Sequence, residues 1–308
     1  MHDLAIPRNI RGNSTGLREA QWPLQHITLA GLSWLVEGAS QTANPSVIML
    51  HGWLDNSLTF SKIAPELAQI SPLHAVDMAG HGHSGHRPLG QSYQLMDYVA
   101  DIAELIEKHI CGPEQGAKVD IVGHSLGGIV GSLYAAAFPE RVRKLVMIDS
   151  LGALSRPIDD TIPQLRRSIN KRIAGSGRSA VYPDMAAAAK VREGGISPLS
   201  HEAALALIPR NLKPEGDGYS WRTDARLRHP SSLMMTEDQV MASLKAIQAP
   251  TLFVSAKEGL LANRKGLDDR LNAIPNMQRV EVLGGHHCHL DGDTRPVADV
   301  VKNFLKKE

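Results

Sequence analysis

Gly123-His124-Ser125-Leu126-Gly127 sets a serine between two glycines in the pattern G-x-S-x-G. A hydroxyl at the tip of a tight strand-to-helix turn is suited to nucleophilic attack. The turn exposes it, and the helix that follows offers backbone N–H groups and its positive end to the charge of an acyl-transfer transition state. The plainer reading is a serine that only caps a helix. The flanks decide between them. Lys118 to Val122 is a short apolar run of the kind that forms a buried strand. Gly128 to Phe138 reads as a buried helix halted before Pro139. Strand, turn and helix together make a nucleophile elbow. A serine hydroxyl needs a neighbouring base to act at neutral pH. Three histidines, His286, His287 and His289, stand in one short C-terminal stretch.

The elements around the elbow must bring distant residues to it. Val47–Leu50 reads as a strand ending in His51-Gly52-Trp53-Leu54-Asp55-Asn56, and residues 73–77 as another, leading into Met78 to Ser84. Val280–Leu283 runs into Gly284-Gly285-His286-His287-Cys288-His289-Leu290. Helices are expected over 58–69, 93–110, 126–137, 263–273 and 295–306, and further strands over 118–122, 142–148, 251–254 and 278–283. A hairpin is expected from Leu24–Leu29 and Leu32–Val36, turning at Ala30-Gly31, with residues 1–20 as an arm. Alternating strands and helices imply parallel strands with helical crossovers, whose sites collect at the carboxyl ends of the strands. Each motif lies at such an end. From Leu151 to about Leu244 the strand pattern stops. Prolines punctuate short helical stretches there, and Ile162–Ile173 and His201–Ile208 look amphipathic. Trp221-Arg222-Thr223-Asp224 is expected to tie this insert to the rest. Met234, Met235 and Met241 would line an adaptable pocket or pack in the core.

On these residues the chain resembles the α/β-hydrolase fold superfamily from about residue 24 to the end, least clearly over 152–248. His-Gly-Trp-x-Asp-Asn and Gly-His-x-x-His are similar to the serine hydrolase-like, carboxylesterase-like subgroup. The resemblance implies an α/β fold with a mostly parallel central sheet flanked by helices. Residues 1–151 and 249–308 would form its core and 152–248 an inserted helical cap. It implies Ser125 as nucleophile, and His286 as base with His289 in support; His287 is the alternative base. It implies an oxyanion hole from the backbone N–H groups of Trp53 and Leu126. The Trp53 indole would line the acyl pocket or pack in the core. His51 and Asp55 would brace their loop, and Asp77, His81 and Ser84 a neighbouring turn. The acid departs from the common pattern. Ala256-Lys257-Glu258-Gly259 has glycine where such proteins place aspartate. Asp149 lies 24 residues after Ser125, the spacing of relatives whose acid sits on the preceding strand; it is favoured over Glu258. A His-x-x-His zinc site is a further reading, without the usual companion ligands beyond Cys288.

Composition bounds the rest. Lys and Arg total 33 against 32 Asp and Glu, so no global field recruits nucleic acid or acidic membranes. The hydrophobic content of 43% is ordinary for a globular protein, and 308 residues suffice for a large core. No apolar run is long enough for a membrane span, and Met1–Ala20 has no signal-like apolar stretch. Cys111 and Cys288 suggest no disulfide framework, which points to the cytoplasm. The expectation is a cofactor-free, metal-free serine hydrolase of small or medium carboxylic esters, with a homodimer open. Thioesters, lactones, amides and C–C bonds suit the same residues, and perhydrolysis as a side reaction. A ligand-binding protein without turnover is the reading from another class. Aspartate nucleophile chemistry is excluded by Ser125.

Overall fold

The computed structural model describes residues 16–35, 45–112 and 116–307. Eight strands form the main sheet: β1 (Gly16–Pro23), β2 (Thr28–Leu35), β3 (Val47–Leu50), β4 (Leu73–Asp77), β5 (Val119–His124), β6 (Val142–Ile148), β10 (Thr251–Glu258) and β11 (Met277–Gly285). Their order is β1-β2-β4-β3-β5-β6-β10-β11. β1 and β2 are antiparallel to their neighbours, and every pairing from β4 through β11 is parallel. β3 and β5 are buried along their whole length, as strands covered on both faces are, with Asp120 of β5 paired to Arg143.

Helices close both faces. α1 (Ala64–Leu67) and α9 (Arg295–Lys306) pack on one, around Phe60, Leu67, Val301 and Phe304. α2 (Leu95–Leu105), α3 (Leu126–Ala137), α7 (Glu237–Lys245) and α8 (Leu267–Asn272) cover the other, around Ile102, Val130, Tyr134 and Phe253. Between β6 and α7 lie α4 (Thr161–Ala174), α5 (Met185–Arg192) and α6 (His201–Asn211). A small antiparallel sheet, β7 (Val181–Tyr182), β8 (Leu212–Glu215) and β9 (Gly218–Trp221), accompanies them. Among the described residues no helix is long and apolar enough to cross a membrane.

Several elements differ from expectation. The hairpin turns earlier in the chain: β1 reaches Pro23, residues 24–27 turn, and Ala30-Gly31 lies inside β2. Gly31 is there because a Cβ would collide with Trp22 and the Ala75 backbone. Residues 16–20 belong to β1 rather than to an arm; residues 1–15 lie outside the described residues. The helix expected over 58–69 breaks into a 3-10 turn, Ser57–Phe60, and the short α1, which begins where Pro65 lacks only an N–H that a first turn leaves free. The helix expected over 93–110 ends as α at Leu105 and continues as a π turn over Ile106–Ile110. The helix expected over 263–273 shortens to α8. The small sheet has no sequence signal, because two- and four-residue strands carry too few alternations to register.

Candidate active site

The elbow is built by crowding. A Cβ on Gly127 would press into the Leu50 carbonyl, and one on Gly123 would stand 2.5 Å from the Gly127 carbonyl carbon. Small residues therefore let α3 start immediately above β3 and β5. Ser125 takes φ 49° and ψ −116°, a conformation that L-residues hold only when their surroundings enforce it. Ser125 N–H donates to the Ile148 carbonyl, and Ser150 Oγ donates to the Ser125 carbonyl at 2.7 Å. Leu126 opens α3, so its amide is one of those a helix leaves without an internal partner.

Asp149 is the counterpart of Ser125 on the next strand. His124 pairs with Ile148 in the β5–β6 register, so Ser125 and Asp149 follow paired residues. Asp149 also has positive φ, 41°, and is buried. Its N–H donates to the Val254 carbonyl, 2.8 Å, which ties the turn to β10. Its Oδ2 accepts from Leu260 N–H, 2.9 Å, and lies 2.5 Å from His286 Nδ1. Gly259 lies against this carboxylate: a Cβ there would stand 2.6 Å from Asp149 Cγ. The glycine at the place usual for aspartate is thus the space that Asp149 fills. Glu258 is exposed at the end of β10.

The three C-terminal histidines have separate partners. His286 bonds Asp149. His287 Nε2 stands 2.9 Å from Asp55 Oδ2, and His289 Nε2 is 2.9 Å from Thr59 Oγ1 with its ring against Phe60. His124, the second residue of the elbow pattern, holds them together. Its Nε2 donates to the His286 carbonyl at 2.9 Å, and its ring centroid lies 4.5 Å from that of His286. The loop bearing His286 is thereby fixed against the residue preceding Ser125. Burial, reinforced by the three neighbouring imidazoles, drives the His124 pKa well below its ordinary value, so the ring is neutral. Burial and His287 do the same to His289. Among the described residues the Ser125 hydroxyl makes no hydrogen bond; nucleophile–base contacts are often loose before substrate binds.

The 51–56 loop meets the elbow from β3. His51 Nδ1 donates to the Gly52 carbonyl at 2.7 Å, while its Nε2 accepts from Met78 N–H at 2.9 Å. Leu54 has φ 66°, so three non-glycine residues of positive φ, Leu54, Ser125 and Asp149, converge on this region. The Trp53 indole does not pack in the core: it is 42% exposed and donates to the Leu227 carbonyl at 3.0 Å. Asp55 does more than brace its loop. It joins His287 to Arg192 of α5, whose guanidinium lies 2.9 Å from Asp55 Oδ1. Burial raises the Asp55 carboxyl, but His287 and Arg192 outweigh burial and hold it well below the usual carboxylate range.

Asp55, His124 and His287 bring ligand atoms within 4.8 Å of one another, the geometry of a small metal cluster. Arg192 already pairs with the carboxylate that would otherwise hold a cation. Cys288 is a free, buried cysteine. Burial, with Asp149 nearby, pushes its thiol up to about 12.

Asp77, His81 and Ser84 form the neighbouring turn as expected. Asp77 accepts from Ser57 N–H and His83 N–H, and His81 Nδ1 bonds the Ala79 carbonyl. Asp77 also pairs with Arg210 of α6, whose other side meets Glu19. Burial raises the Asp77 pKa, and Arg210 more than reverses this, to about 2. The Trp221–Asp224 segment joins the insert to the main sheet as expected: Asp224 N–H donates to the Gly80 carbonyl and Tyr93 Oη donates to Asp224. Arg192 and Arg210 escape a reading of the sequence, since a lone arginine in a polar helix carries no signal of burial. Met234 and Met235 line an apolar cavity of ≈ 620 Å³ that includes Leu126, Ile129 and Leu154. Met241 lies elsewhere, between α7 and α8.

The family model described as alpha/beta hydrolase fold matches residues 45–293. A serine hydrolase-like protein of Danio rerio is 31% identical over 273 residues, 85% of this chain and 82% of its own. A serine hydrolase-like protein of Dictyostelium discoideum is 28% identical over 92% of this chain and 80% of its own. The solved structure of a hypothetical protein from Pseudomonas aeruginosa PAO1 is 35% identical and superposes with a TM-score of 0.86, covering 94% of this chain and 99% of its own.

Proposed function

Because the chain belongs to the α/β-hydrolase fold family, in its serine hydrolase-like subgroup, we propose that it cleaves carboxylic esters of small or medium acyl groups through an acyl-enzyme on Ser125. Ser125 Oγ attacks the carbonyl carbon as His286 Nε2 takes its proton. The negative oxygen is met by the N–H groups of Leu126 and Trp53; such donors each contribute about 3–4 kcal/mol. His286 then protonates the leaving alkoxide. A water, deprotonated by His286, attacks the acyl-enzyme, and the acid leaves with Ser125 restored. Asp149 keeps the imidazole proton on Nδ1 and stabilises the imidazolium. Residues 152–248 would form the cap over a core of 1–151 and 249–308.

The observation that carries this reading is the His286–Asp149 contact of 2.5 Å, made by a loop that His124 fastens to the elbow. The room left by Gly259 supports Asp149 as the acid. Gly259→Asp should lower kcat about 100-fold, because a second carboxylate would displace the first. The double substitution Asp149→Gly with Gly259→Asp should be more active than Asp149→Gly alone. Steady-state kinetics on a p-nitrophenyl ester checks both; a fully active Gly259→Asp would contradict the account.

The cavity beside Leu126 supports a neutral, apolar acyl group, since no charged side chain among the described residues lines it. Burying a methylene is worth roughly 0.8 kcal/mol. kcat/KM for p-nitrophenyl esters should therefore rise about fourfold per added carbon until the cavity fills. Ile129→Trp should move the optimum back toward acetate, and a chain-length series measured on both proteins tests this.

A further inference from the structure

α4 is inside out. Its sequence is amphipathic, yet the only fully buried side chain is the polar Gln164, and Ser168 and Lys171 follow it on the same side. The opposite side carries Ile162, Leu165, Ile169 and Ile173 at helical spacing, all exposed, with Ile162 at 68% and Ile173 at 78%. Ile158, one turn before the helix, is exposed as well. An apolar stripe of this size facing water marks an interaction surface.

Charge selects the occupant. α4 holds Arg166, Arg167, Lys171 and Arg172 and no acidic residue. By helical geometry Arg166 and Arg172 flank the stripe on its two sides. Arg172 spends one N–H on the Gly90 carbonyl, which leaves its charge unneutralised. A symmetric dimer through this face would set the same cations against each other. An apolar stripe between basic margins fits the boundary of an anionic bilayer, where isoleucines enter the acyl region and guanidinium groups meet phosphates. The near-zero net charge of the whole chain conceals this local excess.

We propose that α4 docks the protein on anionic lipid surfaces. The helix also touches the apolar cavity's wall: Gln164 Nε2 donates to the Ser231 carbonyl at 2.7 Å, and residues 231–235 line that cavity. Leu154 and Leu233 of that lining are themselves exposed. Docking would therefore bring membrane-borne acyl chains to the cavity; this second step rests on the hydrolase reading, and docking itself does not.

The test is cosedimentation of the full chain with phosphatidylcholine vesicles, with and without phosphatidylserine, and needs no turnover. Binding is expected only with phosphatidylserine and should weaken as salt rises. Arg166→Gln with Arg172→Gln should weaken it about 30-fold, at about tenfold per 1.4 kcal/mol and about 1 kcal/mol per basic residue. Ile169→Asp with Ile173→Asp should abolish it, with an unchanged circular dichroism spectrum and thermal midpoint. Absence of binding to phosphatidylserine vesicles overturns the proposal, whether the protein is then monomeric or forms a dimer in sedimentation velocity that Ile169→Asp breaks. Equal binding to both vesicle types overturns the electrostatic part.

Discussion

Asp149→Asn should lower kcat for an activated ester by about 10⁴-fold, while Glu258→Gln leaves it nearly unchanged. The amide offers a donor where His286 Nδ1–H needs an acceptor, so the ring is held in the wrong tautomer or swings away. The same carboxylate oxygen also takes the Leu260 N–H, so the substitution loosens the turn after β10 as well. Glu258 has no comparable part, being exposed at the strand end. Parallel kinetics on the two variants decide the matter. A large loss in Glu258→Gln with a small one in Asp149→Asn would move the acid to β10 and leave Gly259 with no part in placing it.

Ser125→Ala should lower kcat by about 10⁶-fold and leave the thermal midpoint close to that of the parent. Alanine takes up the same strained backbone, and the hydroxyl makes no hydrogen bond among the described residues whose loss would unfold the elbow. A fluorophosphonate should add one phosphonyl group to the parent protein at Ser125 and none to the variant, read by intact mass. A folded parent that takes no label would favour the ligand-binding reading, because the backbone could then present a serine without activating it.

The parts that the sequence discloses and those it conceals differ in kind. Gly123 and Gly127 are legible because the close backbone approach in such a turn leaves no room for a side chain, and Ser125 by its place between them. His286 and Asp149 become legible only once the order of strands is supposed, since chemistry between residues 137 apart in sequence cannot be read from spacing alone. What Gly259 does is hidden: the sequence shows a missing aspartate, and only three dimensions show that another carboxylate fills the space. Arg192 is hidden for a related reason. Its partner Asp55 stands in a recognisable motif, but nothing along the chain says which of many arginines reaches it. The amphipathic spacing of Ile162–Ile173 is visible, whereas its direction is not, because periodicity fixes a face without saying toward what it turns.

The seat of Asp149 has one more consequence. With nucleophile and acid on adjoining strands, as proposed, the segment after β10 would owe the reaction little beyond the Leu260 amide and the slimness of Gly259. Residues 262–266, none of them buried, could therefore change character while Asp149 keeps its partners. In a hydrolase whose acid lies on that segment, any such change would move the acid too. On that proposal residues 262–266 hold none of the groups that react, so a change of specificity there would leave the chemistry undisturbed.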